Sequence, residues 1–247
     1  MKKIISLVLV ALLACSCVLG LTACGGSAEK KELHMATNAF FEPYEYYEGK
    51  EVVGIDAEIA QAICDKLGYE LVIDDMDFDS IITAVTSGKA DFGMAGMTVT
   101  DERKESVDFT DSYTTATQVI IVPEKDSKVN NADDLEKAAI GVQLGTTGDI
   151  YVSDLKDAKI ERFNKGADAV LALTQGKVDA VVIDSEPAKA FVNQNEGIKI
   201  LDDPFADEDY AICLAKGSEL TEKFNEALKE LKEDGTIDKI NAKYIGD

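Results

Sequence analysis

The sequence predicts an α/β fold in two similar lobes, and three observations predict it. From residue 32 onward short apolar runs alternate with amphipathic ones, the pattern of strands and helices stacked in layers. The hexapeptide Thr86-Ser87-Gly88-Lys89-Ala90-Asp91 returns as Thr174-Gln175-Gly176-Lys177-Val178-Asp179, with four of six positions identical, and each copy closes a helix-like run and opens a strand-like one. Residues 24–247 also give enough chain for one large domain or two modest ones.

Taken in order, the elements begin with a leader. Lys2 and Lys3 precede an apolar run at 4–14 broken only by Ser6, and the small-residue stretch Leu21-Thr22-Ala23-Cys24-Gly25-Gly26-Ser27 follows. A basic start, a short apolar run and small residues describe an export signal over 1–23. The run is short for a bilayer span, and Gly20 interrupts its end. LTAC at 21–24 resembles a lipobox, which makes Cys24 the expected lipid-modified first residue of the mature chain. LLAC at 12–15 competes with it but leaves a very short apolar run. Residues 24–31 are the expected polar tether.

Residues 33–36 read as a strand. A helix is predicted over 56–67, because Ile55, Ile59, Ile63 and Leu67 recur every fourth residue and Gly68 supplies a stop. A strand at 71–73, a helix at 80–86 ending at Gly88 and a strand at 91–94 follow. The alternation continues with strands at 118–122, 140–142 and 179–183, and two helices fill much of 219–244.

Composition excludes several function classes. The chain carries 47 acidic against 25 basic residues, a formal net charge of −22, and loses Lys2 and Lys3 with the leader. A nucleic-acid partner needs a basic face, which this balance argues against. Cys64 and Cys213 each sit in an apolar pattern, as two small buried residues or as a disulfide that an exported protein permits. His34 is the only histidine, and no Cys, His and carboxylate cluster has metal-ligand spacing. Neither a nucleophile elbow nor a phosphate-binding loop is present. No catalytic residue, metal or cofactor is expected.

Only two of the 25 basic residues are arginines, Arg103 and Arg162. Arginine matches a carboxylate with two parallel hydrogen bonds, which lysine does not. In open α/β sheets ligands bind beyond the carboxyl ends of strands. Past the first repeat's strand stand Ala95, Gly96, Met97, Thr98 and Arg103; past the second stands Asp184. One cationic fork and one anion on facing lobes complement a zwitterion: Arg103 takes the α-carboxylate of an amino acid and Asp184 its ammonium. Gly96 permits close backbone approach, and Gly145-Thr146-Thr147-Gly148 opens a helix near 149–155 whose N–H groups suit a carboxylate. Other readings stay open at this point. Arg103 is open to a surface pair with Glu102 or Asp101, and Asp184 to capping a helix from about residue 186.

Several motifs in one order make the chain similar to the periplasmic and lipoprotein amino-acid-binding proteins of ABC importers, solute-binding protein family 3. They are ATNAFFEPYE at 36–45, VGIDAEIAQAI at 53–63, MDFDSII at 76–82, AGMTVTDER at 95–103, VDFTDSY at 107–113, GTTGD at 145–149 and VDAVVIDSE at 178–186. The resemblance implies the two-lobed periplasmic-binding-protein fold: two mainly parallel sheets flanked by helices and joined by two hinge strands. Matched to this sequence, lobe 1 is 32–114 with 210–247 and lobe 2 is 115–209. The crossings fall near 113–117 and 207–210.

The resemblance also implies roles. Arg103, Thr98 and the Thr147 amide would bind the ligand carboxylate. Asp184, the Gly96 carbonyl and the Thr98 hydroxyl would bind the ammonium, and Phe41 and Phe78 would face the side chain. Many members have two or three serines where this chain has Ala95, Gly96 and Met97. Asn38, Glu42, Gln143 and Leu144 fall near the side-chain pocket. Glu42 suits arginine or lysine, and Gln143 suits glutamine. The implied function is capture of a polar or basic amino acid by an exported, lipid-anchored monomer that delivers it to an ABC permease. Two alternatives stand: an amino-acid-sensing lipoprotein, and a dehydratase-like enzyme of the same fold.

Overall fold

Strand–helix alternation builds two open sheets joined by a pair of long strands. The computed structural model describes residues 31–204 and 206–246; the expected leader, Cys24 and nearly all of the tether lie outside them. Strand β1 (Glu32–Thr37) leads into a three-stranded meander, β2 (Phe40–Phe41), β3 (Glu45–Glu48) and β4 (Glu51–Val53). Then come α1 (Ile55–Leu67), β5 (Glu70–Asp75), a 3-10 turn at Phe78–Ser80, α2 (Ile81–Thr86), β6 (Phe92–Gly93), α3 (Asp101–Ser106) and β7 (Val107–Phe109). Strand β8 (Thr114–Pro123) leaves this layer for the second.

The second layer holds a 3-10 turn at Ala132–Lys137, β9 (Ala139–Gln143), α4 (Thr147–Ser153), β10 (Lys159–Phe163), α5 (Gly166–Thr174), β11 (Ala180–Asp184), α6 (Ser185–Gln194) and β12 (Ile198–Ile200). Strand β13 (Ala206–Tyr210) returns to the first layer, which β14 (Cys213–Ala215), α7 (Leu220–Glu233) and α8 (Thr236–Tyr244) complete.

The sheets run β5-β1-β6-β14-β7 and β10-β9-β11-β8-β12, with β13 also on β8. Both are mixed. Pairs made within a layer, β5–β1–β6 and β10–β9–β11, are parallel because a helix returns the chain each time. Strands that arrive from the other layer, β14 and β8, pair antiparallel. The two connecting strands lie against each other, from Ala206 opposite Gln118 to Tyr210 opposite Thr114. The crossings expected near 113–117 and 207–210 fall within this ladder.

Local chemistry explains the elements. Ile55, Ile59 and Ile63 of α1 are buried, and Gly68 ends the helix at φ 78°. The repeated hexapeptide forms the same turn twice. After α2, Gly88 (φ 72°) donates to Val85 O and Lys89 to Ala84 O; after α5, Gly176 (φ 68°) donates to Leu173 O and Lys177 to Ala172 O. Each turn delivers a buried strand whose far end reaches the space between the layers. Cys64 and Cys213 are buried and unpaired, which settles the open choice in favour of packing.

Candidate functional site

The ends of β6 and β11, with the loops after them, meet at a cavity between the layers. Its wall is Asn38, Phe41, Glu45, Phe78, Ala95, Gly96, Thr98, Arg103, Gln143, Thr146, Thr147 and Asp184. Every residue expected to bind a ligand main chain is on this wall.

Arg103 is held by α3, whose first turn is capped by the Thr100 hydroxyl accepting from Arg103 N. The side chain turns inward and is 7% exposed. Nη1 donates to Thr98 O at 2.7 Å, and Nη2 crosses the cleft to Gly145 O at 3.0 Å. The guanidinium carbon lies 5.4 Å from the Phe78 ring centre. Burial pulls the guanidinium below its ordinary pKa, opposed by the charge of Glu208 and then of Asp184. This is not a surface ion pair. Arg162, the other arginine, is the more exposed of the two and bonds the buried Asp149 and Ser153 of α4, each at 2.8 Å.

Asp184 occupies the N-cap position of α6 but makes no capping bond. Its carboxyl instead accepts from the Tyr210 hydroxyl. Burial pushes it well above the usual carboxylate range, and the charge of Glu208 raises it further. The two alternatives left open by the sequence are thus decided by where the side chains go.

Gly96 has φ 53°, and a Cβ there would lie 2.8 Å from Phe41 Cε1 and 3.2 Å from Tyr210 Cε2. Only glycine fits that close approach. Its N–H donates to Asp56 Oδ2 at 2.8 Å, and the same oxygen accepts from the Tyr113 hydroxyl at 2.8 Å. Burial pushes Asp56 up to about 6, while these two donors act against the rise. The sequence reading missed this buried bracket behind the binding loop.

At the other end of the cavity the groups are neutral. Gln143 Nε2 donates across the cleft to Asn38 Oδ1 at 2.9 Å and to Asn164 O at 3.1 Å, while Asn38 Nδ2 donates to Met76 O at 2.7 Å. Phe41 packs on Tyr44 and Phe78 on Arg103, so both rings wall the space between the two ends. Further bonds cross at the rim: Asn164 Nδ2 to Asp77 at 3.0 Å, and Lys165 Nζ 3.4 Å over the Phe40 ring.

Glu42 does not join the cavity. It lies in the turn between β2 and β3 and accepts from Gln194 Nε2 at 3.0 Å. Glu45 is on the wall instead, because the hairpin sets Glu45 opposite Phe41 and so on the same face. Both its oxygens are buried without a hydrogen bond from a donor group. Burial pushes its carboxyl well above the usual range, with neighbouring Asp56 adding to the effect. Leu144 is not on the wall either. Among the described residues no cluster of His, Cys, Asp and Glu has the makings of a metal site.

Residues 33–247 match the bacterial extracellular solute-binding proteins, family 3. The arginine-binding extracellular protein ArtP of Bacillus subtilis is 39% identical over 246 residues, 95% of this chain and 96% of that protein. An ancestral arginine-binding protein has been solved with arginine (TM-score 0.85, 41% identity) and with glutamine (TM-score 0.84, 42% identity). Each comparison covers 88% of this chain, with 100% and 99% of the other. The chain belongs to solute-binding protein family 3, whose members work outside the cytoplasm.

Proposed function

We propose that this member of the family captures a polar or basic L-amino acid, arginine first and glutamine second, and hands it to an ABC permease. One observation carries the reading: Arg103 and Asp184, of opposite charge and both buried, reach one closed cavity from opposite layers. Buried charges without an ionic partner are costly, and a zwitterion supplies a partner to each. Arg103 retains a second N–H on each terminal nitrogen for the ligand carboxylate, with Thr98 and the Thr147 amide beside it. Asp184 takes the ammonium, with the Gly96 carbonyl and the Thr98 hydroxyl in support.

The side chain then runs between Phe41 and Phe78 toward Asn38 and Gln143. Aromatic walls favour a guanidinium stem by on the order of 0.5–2 kcal/mol, and Glu45 adds an acidic group to the wall. The neutral Asn38–Gln143 end favours glutamine as the second reading. The names of the relatives support both. The lobes are 32–114 with 210–247, and 115–209, and they close by bending where β8 and β13 pair. Removal of residues 1–23 and lipidation of Cys24 anchor the protein to the outer face of the membrane, as the LTAC-GGS junction indicates.

Calorimetric titration with each of the twenty amino acids tests the assignment. One-to-one binding with arginine tightest is expected. Tight binding confined to leucine, alanine or glutamate overturns the ligand class.

A further inference from the structure

Two threonines of the cavity wall, Thr98 and Thr147, are joined behind it by two polar side chains that the reading above leaves unused. Gln118 of β8 and Glu208 of β13 are both buried, one on each connecting strand. Glu208 Oε2 accepts from the Thr98 hydroxyl at 2.8 Å and from Gln118 Nε2 at 3.1 Å, and that nitrogen also donates to Thr147 Oγ1 at 3.3 Å.

These bonds fix the sense of each hydroxyl. A carboxylate only accepts, so Thr98 gives its single proton to Glu208, and Gln118 turns its amino group rather than its carbonyl toward the same oxygen. Thr98 Oγ1 then has lone pairs and no proton to offer the cavity. Thr147 is the reverse: its oxygen receives an N–H from Gln118, and its own proton is free. The first hydroxyl suits a ligand group that donates, an ammonium. The second suits one that accepts, a carboxylate.

The backbone holds Thr98 in place for this. Ala211 N donates to Met97 O at 3.1 Å and Val99 N to Asp209 O at 3.0 Å, which sets Thr98 opposite Tyr210. Along β13, Glu208 and Tyr210 are buried while Asp207 and Asp209 between and beside them are exposed, so the first two share the inward face. The Tyr210 hydroxyl donates to Asp184. One face of one connecting strand therefore stands behind both side chains assigned to the ammonium, Asp184 and Thr98.

We propose that Glu208, directly and through Gln118, is a positioning residue that sets the two hydroxyls in opposite senses: Thr98 as acceptor for the α-ammonium, Thr147 as donor to the α-carboxylate. The wall thereby favours one orientation of a zwitterion over the reverse. The inference rests on the assignment of Asp184 to the ammonium and Arg103 to the carboxylate.

The test is calorimetry of the full chain with L-arginine, or with L-glutamine if arginine gives no heat. It compares Glu208→Gln with Glu208→Met, each with Thr98 present and in a Thr98→Val background. Both substitutions remove the charge, and only the amide keeps an acceptor for Thr98. With Thr98 present, Glu208→Met binds roughly three- to tenfold more weakly than Glu208→Gln. With Thr98→Val the two agree within about twofold, because the group that Glu208 positions is gone.

Equal affinity of the two variants with Thr98 present overturns the proposal, and so does a difference that persists in Thr98→Val, which would be packing. If a variant at Glu208 does not fold by circular dichroism, ligands that keep one charged group decide on the threonines. Thr98→Val weakens agmatine, which keeps the ammonium, and leaves 5-guanidinopentanoic acid, which keeps the carboxylate; Thr147→Val does the opposite. For glutamine the pair is 4-aminobutanamide and glutaramic acid. Equal losses on both members of a pair overturn the proposal. Absence of heat with both amino acids in the wild-type protein removes the assignment of the site itself, and this inference with it.

Discussion

The two ends of the cavity are built on opposite principles. At one end Arg103 and Asp184 are ionisable, buried and braced from behind by Thr98, Glu208, Tyr210 and Asp56. At the other, Asn38 and Gln143 are neutral amides that bond each other across the cleft. On the proposed assignment the charged end takes what all amino acids share and can be rigid, while the amide end meets what distinguishes them through individually weaker bonds. Affinity then belongs mostly to the first end and selectivity to the second, a division that substitutions at each end can break.

The largest effect is expected at Asp184. Asp184→Ala leaves the ammonium without its counter-charge in a closed site, a loss of about 3–5 kcal/mol, or roughly a hundredfold to a few thousandfold in Kd. Titration with arginine checks it. A loss under tenfold would mean the ammonium sits elsewhere.

Next comes the bracket behind Gly96. Asp56 has its folded pKa raised from 3.8 to about 6, so between those values the folded state binds more protons than the unfolded one. Its contribution is fully present below about pH 4 and is lost as pH rises through about 6, roughly 3 kcal/mol in all. Urea unfolding of wild type and Asp56→Asn from pH 4 to 8 should show the stability difference moving in favour of the variant by that order. A constant difference contradicts it.

Arg103→Lys keeps the charge and removes the fork. Loss of one charge-assisted bond, about 1.5–3 kcal/mol, weakens binding roughly ten- to hundredfold with the unfolding midpoint little changed. At the neutral end, Gln143→Ala removes bonds worth about 0.5–1.5 kcal/mol each. It should cost roughly two- to tenfold per bond and narrow the gap between arginine and glutamine, measured by competition. Equal losses at Arg103 and Gln143 would dissolve the distinction between the ends.

The charged end was the more legible of the two. Arg103, Thr98, Gly96, Thr147 and Asp184 follow strand ends marked by a repeat, and topology sends strand ends to one place. The turn chemistry was equally plain, since Gly88 and Gly176 stand at the same left-handed caps. What sequence could not assign was the depth of polar groups. Glu42 and Glu45 look alike along the chain, and only the pairing of Phe41 with Glu45 turns one inward and leaves the other to Gln194. Asp56 and Gln118 were passed over for the same reason: each sits in an element read for its apolar residues, and a buried polar side chain is expected to be rare. The meander β2–β4 escaped notice because its strands are too short to show a period.

The central claim is that a zwitterion, and not a side chain alone, is recognised. Calorimetric titration with L-arginine, agmatine and argininic acid tests it most directly, because the second lacks the carboxylate and the third carries a hydroxyl in place of the ammonium. The account predicts that each analogue binds at least a hundredfold more weakly than arginine. Agmatine or argininic acid binding within a few-fold of arginine would contradict it.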